Sequence, residues 1–560
     1  FIIIHSYLQV AIVLYSSINI IMYKSKKKTK CEKFGIILMK ELHIRKSIWK
    51  EIYHMKRIFK LLFGRFTIGT VLIIAQVLFI ILIAERAYNV YKWMPVLVLV
   101  LEILLILDLA NRDMPADLKL PWLMVVTLVP VAGIIIYSLF SRNLARKKQI
   151  KFSKTIHSNS QAILNNERDE KIDLGYYKDC SKYIENTCGC IPFNNTKSTY
   201  YDCGESFFND YLTDLSKAES FIFMEYFIIE RGVMFDSVLE ILKEKVKNGV
   251  EVRLIYDDIG TIGKVPARFY KELRSLGINC IKFNPFLPFV SAIHNNRDHR
   301  KITVIDGKVG YIGGINFADE YINVINLFGY WKDSTVRVEG VATKQLTVMF
   351  LQNFDVQTRK EDDYQKYLNV EVPIFENEGI VLPLCDGPSP IYSDLIGENT
   401  YLNLINHAKE DIKISTPYLI LDSQMQNAII AAVKRGIRVQ IFTPHVPDKK
   451  TIFALTRSNY LSLLKQGVEI YEYQPGFIHT KNILIDNEVA IVGTINLDYR
   501  SLVHHYECGI MLYRTPSIID IKNDFANITR QSIYVNPKTF KLKPLEKFVA
   551  RILKIFSPIM

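Results

Sequence analysis

Histidine and lysine recur in this chain as a pair, two positions apart, in two places. His299 and Lys301 open His-Arg-Lys-Ile-Thr-Val-Ile-Asp, which ends at Asp306; His479 and Lys481 open His-Thr-Lys-Asn-Ile-Leu-Ile-Asp, which ends at Asp486. Both stretches read His-x-Lys-x4-Asp. Fourteen positions after each His stands Gly313 or Gly493, and seventeen after it Asn316 or Asn496. A single copy would read as a core strand with an incidental histidine. Two copies in register point to two related half-sites that form one active centre.

The residue types suit attack on a phosphodiester. An unperturbed imidazole titrates near pH ~6.5, so one His can attack phosphorus while its counterpart protonates the leaving oxygen. Lys301, Lys481, Asn316 and Asn496 then supply donors to the non-bridging oxygens, where charge accumulates. This set calls for no metal ion and no cofactor. Asp306 and Asp486 belong to the catalytic motif, yet at a rise of ~3.3 Å per residue they lie too far along the strand to be the immediate partners of the imidazoles. They are expected to hold the turn and the neighbouring backbone.

Strands must position these groups. Side chains i and i+2 of a strand share a face, so each β-branched-rich cassette is predicted to project its His and Lys the same way. Strand and helix patterns alternate around it: in the first half, a strand over 220–229, a helix over 235–248, a strand over 250–256 and a helix over 269–276. The second half repeats the order over 411–420, 424–435, 437–443 and 459–466, and the turn Lys-Asn-Gly-Val-Glu-Val-Arg at 247–253 is echoed by Lys-Arg-Gly-Ile-Arg-Val-Gln at 434–440. Such a succession implies sheets covered by helices.

The doubled motif resembles the phospholipase D superfamily, and the surrounding blocks are similar to membrane-anchored bacterial cardiolipin synthases. Those blocks are Asn-Asn-Arg-Asp-His-Arg-Lys at 295–301, Gly-Gly-Ile-Asn at 313–316 with Asp-Glu-Tyr at 319–321, Tyr-Gln-Pro-Gly-Phe-Ile-His at 473–479, and Gly-Thr-Ile-Asn-Leu-Asp-Tyr-Arg-Ser at 493–501. The resemblance implies an α/β fold of two phospholipase D-like α-β-α sandwich repeats in pseudo-two-fold arrangement, preceded by N-terminal transmembrane helices. It also implies a phosphatidyl transferase that joins two phosphatidylglycerol molecules into cardiolipin and glycerol through a phosphatidyl-histidine, with His299 as nucleophile and His479 as acid and base. Asp333 and Glu507 stand where superfamily members keep an acidic residue that fixes the imidazole tautomer. Read locally, each is a charge at a strand start. The motif would equally serve transfer to another alcohol, hydrolysis or, less well, a nuclease.

Charge placement argues against nucleic acid. The chain carries +13, and residues 1–65 hold 14 Lys and Arg against 3 Glu, a net of +11. A nucleic-acid enzyme would carry its basic surface around the catalytic groove. Here the excess adjoins apolar segments, as suits an anionic lipid surface, so the expected partners are phosphatidylglycerol and anionic membrane lipids, and the expected place is a bacterial cell membrane, crossed more than once.

Residues 67–84 and 121–140 read as spans, and the apolar stretch 93–110 between them contains Glu102 and Asp108, each costly at mid-membrane. Basic clusters before 67 and after 140 favour an even number of crossings, hence two spans with the middle segment peripheral or re-entrant. The expected organisation is a fragment start or translated extension at 1–54, a membrane anchor with two or three spans at 55–149, a linker and entry region at 150–204, repeats at 205–375 and 376–535, and a basic amphipathic segment at 536–560, whose apolar face would pack on the enzyme or lie in lipid. Cys180, Cys188, Cys190 and Cys203 fall within 24 residues but match no Cys-x2-Cys zinc spacing, and are expected to be free thiols.

Overall fold

A computed structural model describes residues 65–140, 147–165, 172–287 and 295–559; the expected extension at 1–54 lies outside them. Residues 69–560 form one compact unit. Within it the β-branched and aromatic runs become buried strands. The first sheet uses β1 (Thr196–Tyr201), β2 (Phe221–Tyr226), β3 (Glu251–Asp257), β4 (Asn279–Phe283), β5 (Lys301–Ile305), β6 (Val309–Gly313) and, beyond the short β7 (Tyr330–Lys332), β8 (Thr335–Gly340). Its order is β1-β8-β6-β5-β2-β3-β4. The second uses β9 (Ile380–Asp386), β10 (Asp411–Ser415), β11 (Arg438–Pro444), β12 (Glu469–Tyr473) and, beyond the short β13 (Gly476–Ile478), β14 (Asn482–Ile485), β15 (Val489–Gly493), β16 (Glu507–Tyr513) and β17 (Ser532–Tyr534). Its order, read from the other edge, is β9-β16-β15-β14-β10-β11-β12-β17.

The two orders match strand for strand, with β17 as an addition. β2, β3 and β4 run parallel and β5 joins them antiparallel through β2; β10, β11, β12 and β14 repeat that arrangement. The doubled repeat and the helix-covered α/β architecture are therefore present as expected. Some strands are shorter than their apolar runs. β10 stops at Ser415 because Pro417 offers no N–H to a ladder, and the helix predicted over 459–466 is the end of a longer one, Lys450–Leu464.

Asp306 and Asp486 sit in the turns that close β5 and β14, with left-handed backbone at φ 53° and 52°. Asp306 accepts hydrogen bonds from the backbone N–H groups of Glu219, Ser220 and Phe221 at 2.7–2.8 Å. Asp486 does the same for Lys409, Glu410 and Asp411 at 2.8–2.9 Å. Each carboxylate thus pins the start of the neighbouring strand, β2 or β10, and fixes its register against the His-bearing segment. Asp306→Ala leaves three strand-start donors without their acceptor and is expected to cost about 2 kcal/mol, seen as a lower unfolding midpoint. A wild-type midpoint with lost turnover would instead give Asp306 a chemical role.

Two expectations need correction. Residues 150–204 are not a linker: β1 pairs with β8 along its whole length, helix Lys178–Cys188 buries Cys180, Ile184 and Cys188, and Phe193 bridges Val381 on β9. Their apolar partners lie far away in sequence, so no local periodicity reveals them. The segment 121–140 is not one span. It is split into α3 (Ala116–Leu128) and α4 (Pro130–Phe140), because Pro130 starts a new helix after Val129 leaves helical geometry. Gly133 lets the two pack closely, since a Cβ there would lie 2.3 Å from the Val125 carbonyl.

Among the described residues, the helices long and apolar enough to cross a membrane are α1 (Arg65–Val90) and α2 (Met94–Asn111); α2 is the middle stretch expected to be peripheral or re-entrant, and its Asp108 is paired with Arg112 at 2.8 Å. The C-terminal helix Pro544–Phe556 packs on helix Lys450–Leu464, where Ala550 is buried, and leaves Leu545, Phe548 and Ile552 exposed.

Candidate active site

His299 lies two residues ahead of β5 and His479 three ahead of β14, and both are held by backbone of the opposite repeat. His299 N–H donates to the Tyr506 carbonyl at 2.9 Å, and His479 N–H to the Lys332 carbonyl at 2.6 Å. A parallel bridge between Asp298 and Tyr506 and the parallel pair β7–β13 carry the same joint further. The two sheets are therefore stitched together at the motif itself.

The side chains cross over as well. His299 Nδ1 meets the Glu507 carboxylate at 2.9 and 3.0 Å, and His479 Nδ1 meets Asp333 at 2.6 Å. Each imidazole thus takes its carboxylate from the other repeat, and neither half holds a complete site. An ionised carboxylate only accepts, so the carboxylate contacts favour the tautomer with the proton on Nδ1 and the lone pair on Nε2; at His479 the Lys481 Nζ also lies 2.8 Å from Nδ1.

Glu507 is buried and also accepts from the hydroxyls of Thr494 and Ser501, the latter at 2.6 Å. Asp333 accepts from Ser334 N–H at 2.9 Å. Gly314 occupies the position equivalent to Thr494, and a Cβ there would come within 2.1 Å of Asp333 Oδ1. The repeats thus solve one problem in two ways: the longer Glu stands over a threonine, the shorter Asp over a glycine.

Lys301 and Lys481 fold back so that each Nζ donates to the carbonyl of its own histidine. Both are buried, and burial lowers them, Lys301 to about 8 and Lys481 to about 7. Burial likewise lowers His299 and His479 to about 4, helped in each case by both lysines, including the one from the opposite repeat. That mutual influence across the repeats means the two half-sites share one electrostatic space. Burial pushes the Glu507 and Asp333 carboxyls up, but the facing imidazoles and, at Asp333, the Lys481 ammonium outweigh it and hold both below the usual carboxylate range. At neutral pH the centre holds two neutral imidazoles, two carboxylates and two ammonium groups close to losing their protons.

The motif asparagines are inside the site but partly committed. Asn316 accepts from Ile228 N–H at 3.0 Å and donates to the Tyr321 hydroxyl at 2.8 Å, leaving one amide N–H. Asn496 Oδ1 is buried without a hydrogen-bond partner among the described residues. The walls are aromatic: Trp331, Tyr321 and Phe477 surround His479 with ring centres 5.3–5.8 Å away, and Phe227 lies 5.0 Å from His299.

Thr494, Ser501, Phe227, Trp331 and His505 are missing from the sequence-based set. The change from Gly-Gly to Gly-Thr inside an otherwise repeated Gly-x-x-Asn block was the available signal for Thr494. His505 is buried 5.4 Å from the His299 ring, and neither of its nitrogens has a hydrogen-bond partner among the described residues. With His299 and Glu507 it places three donor atoms within 4.8 Å of one another.

Known proteins are similar to this chain. A family model described as cardiolipin synthase, PLD-like domain, matches residues 211–327 and 401–529, and one described as phospholipase D-nuclease N-terminal matches 96–142. An uncharacterized protein of Streptococcus mutans is 40% identical over 81% of this chain and 99% of its own. A cardiolipin synthase of Alkalihalophilus pseudofirmus is 33% identical over 79% of this chain and 88% of its own, and one of Geobacillus sp. WCH70 is 33% identical over 82% and 92%. Among solved structures, phosphatidylserine synthase of Haemophilus influenzae has the same fold, with a TM-score of 0.52 at 15% identity over 69% of this chain and 98% of that one.

Proposed function

The chain belongs to the bacterial cardiolipin synthase family of the phospholipase D superfamily, and from that premise we propose that His299 and His479 carry a phosphatidyl group between two phosphatidylglycerol molecules. The crossed His–carboxylate pairs support this reading most directly. Neutral His299 attacks phosphorus through Nε2; the P–N bond forms as the P–O bond to glycerol breaks, and His479 gives its proton to the departing glycerol oxygen. His479 then takes the proton from a hydroxyl of the second phosphatidylglycerol, whose oxygen displaces His299 and forms cardiolipin. Lys301 and Lys481 face the non-bridging oxygens, and Glu507 and Asp333 stabilise the imidazolium of their own partner.

The electrostatics give this cycle a pH signature. Both free imidazoles titrate at about 4, so at pH 7 the site must take up one proton to arm His479, and the phosphodiester anion supplies the charge that raises its pKa. Binding of a phosphodiester analogue is expected to be accompanied by proton uptake, measured as a dependence of the binding enthalpy on buffer ionisation. The value of kcat/KM is expected to fall as pH rises, and more steeply once Lys481 loses its proton above about 7. Lys481→Arg, which keeps its charge, should remove that steepening whatever its absolute rate; an unchanged profile would assign the limb elsewhere.

Membrane attachment fits the substrate. α1 and α2 cross the bilayer in this reading, an even number of passes, which keeps the basic clusters on either side of the anchor on one face. The α3–α4 hairpin and the exposed Leu545, Phe548 and Ile552 of the C-terminal helix lie against headgroups. Purified protein given labelled phosphatidylglycerol with no other alcohol or cofactor should yield cardiolipin and free glycerol. Phosphatidic acid as the sole product would make it a hydrolase, and phosphatidylserine or phosphatidylethanolamine formed on addition of serine or ethanolamine, with no cardiolipin from phosphatidylglycerol alone, would point to another acceptor.

A further inference from the structure

We propose that Cys188, Cys190 and Cys385 form a three-thiolate binding site for zinc, apart from the catalytic centre. Cys188 ends helix Lys178–Cys188, and Gly189, in left-handed geometry at φ 71°, turns the chain so that Cys190 comes back toward the same point. Cys385 arrives from β9, almost two hundred residues away in sequence. All three are at most 4% exposed, and their sulfurs lie within 4.8 Å of one another.

The spacing favours a shared cation over a disulfide or simple packing. Cys190 Sγ and Cys385 Sγ are 3.8 Å apart, whereas a disulfide needs ~2.05 Å. Zinc–sulfur bonds of ~2.3 Å at tetrahedral angles place neighbouring sulfurs ~3.8 Å apart. Thiols used as small apolar filler have no reason to converge in threes, because S–H is a weak donor and S a weak acceptor. The Tyr392 hydroxyl stands 3.4 Å from Cys385 Sγ and is hydrogen-bonded to His157 Nε2 at 3.0 Å, beside the sulfur triangle. Binding balances as three thiols plus Zn²⁺ giving a tris-thiolate complex of net charge −1 and three protons.

The place of the site gives it work to do. Cys385 pairs in register with Cys508 and Asp386 with Glu507, so the cluster sits on the strand next to the one that carries the carboxylate partner of His299. A cation there would clamp the segment after helix Lys178–Cys188 onto β9 and stiffen the backing of Glu507.

The test is metal analysis of the full chain, expressed with zinc and purified in detergent micelles. Close to one zinc per chain is expected, lost in Cys385→Ser and kept in Cys180→Ser and Cys203→Ser. Replacing zinc by Co²⁺ in the wild type should give the intense thiolate-to-cobalt and d–d absorption of a tetrahedral sulfur site, a readout that stands even if Cys385→Ser fails to fold. Wild-type protein with well under one zinc per chain and no such cobalt spectrum, zinc retained at full stoichiometry in folded Cys385→Ser, or a Cys190–Cys385 disulfide found by mass spectrometry would each overturn the proposal.

Discussion

His299→Gln and His479→Gln are each expected to lower cardiolipin formation from phosphatidylglycerol by at least ~10⁴-fold. The first removes the atom that bonds to phosphorus. The second removes the group that protonates glycerol and then deprotonates the incoming hydroxyl. A second histidine cannot take over, because each catalytic histidine is held at its backbone N–H by a carbonyl and at its ring by a carboxylate of the opposite repeat, and His505 lacks both kinds of support apart from a 3.6 Å approach to Glu507. The double variant should be little worse than either single one, since the two groups act within the same steps. Labelled lipid turnover, with the fold checked by unfolding midpoint, decides it: either variant retaining more than about a tenth of wild-type turnover would end the two-histidine mechanism, given that general acid–base help alone contributes ~10²–10⁴-fold.

Much of this was readable from the chain alone, for a physical reason. A repeat that must build two equivalent half-sites keeps residue types and spacings, so His299, Lys301, Asn316 and their counterparts stand out as pattern. The structural, rather than chemical, place of Asp306 and Asp486 was also legible, because strand rise alone puts them out of reach of the imidazoles. What the pattern does not carry is which group meets which across the joint. Asp333 and Glu507 are recognisable one at a time, but their exchange between repeats depends on the packing of β7 on β13 and of Asp298 beside Tyr506, contacts that no local spacing encodes. The same limit hid β1, whose partner β8 lies some 140 positions on, and the third cysteine of the sulfur triangle. In the anchor, composition pointed to 121–140 and made the acidic 93–110 doubtful. The structure divides the former into two helices at Pro130 and makes the latter one continuous apolar helix, in which Asp108 pairs with Arg112.

The crossing of partners predicts how the carboxylates divide the work. Asp333→Asn and Glu507→Gln keep shape and remove charge, and each is expected to slow transfer from phosphatidylglycerol by ~10³–10⁴-fold, as when the acid of a catalytic triad is neutralised. They should part company when the leaving group needs no proton. With a p-nitrophenyl ester in place of glycerol, departure as phenolate bypasses His479 in the first step, so the burst of p-nitrophenol from Asp333→Asn and from His479→Gln should recover most of its lost rate. No such recovery is available to Glu507→Gln or His299→Gln, because attack on phosphorus still needs an oriented Nε2 with its lone pair free. Were the pairing within repeats, the rescued carboxylate variant would be Glu507→Gln. Equal rescue of both, or of neither, would mean that acid and nucleophile are not separated between the two rings as their partners at 2.6 and 2.9 Å imply.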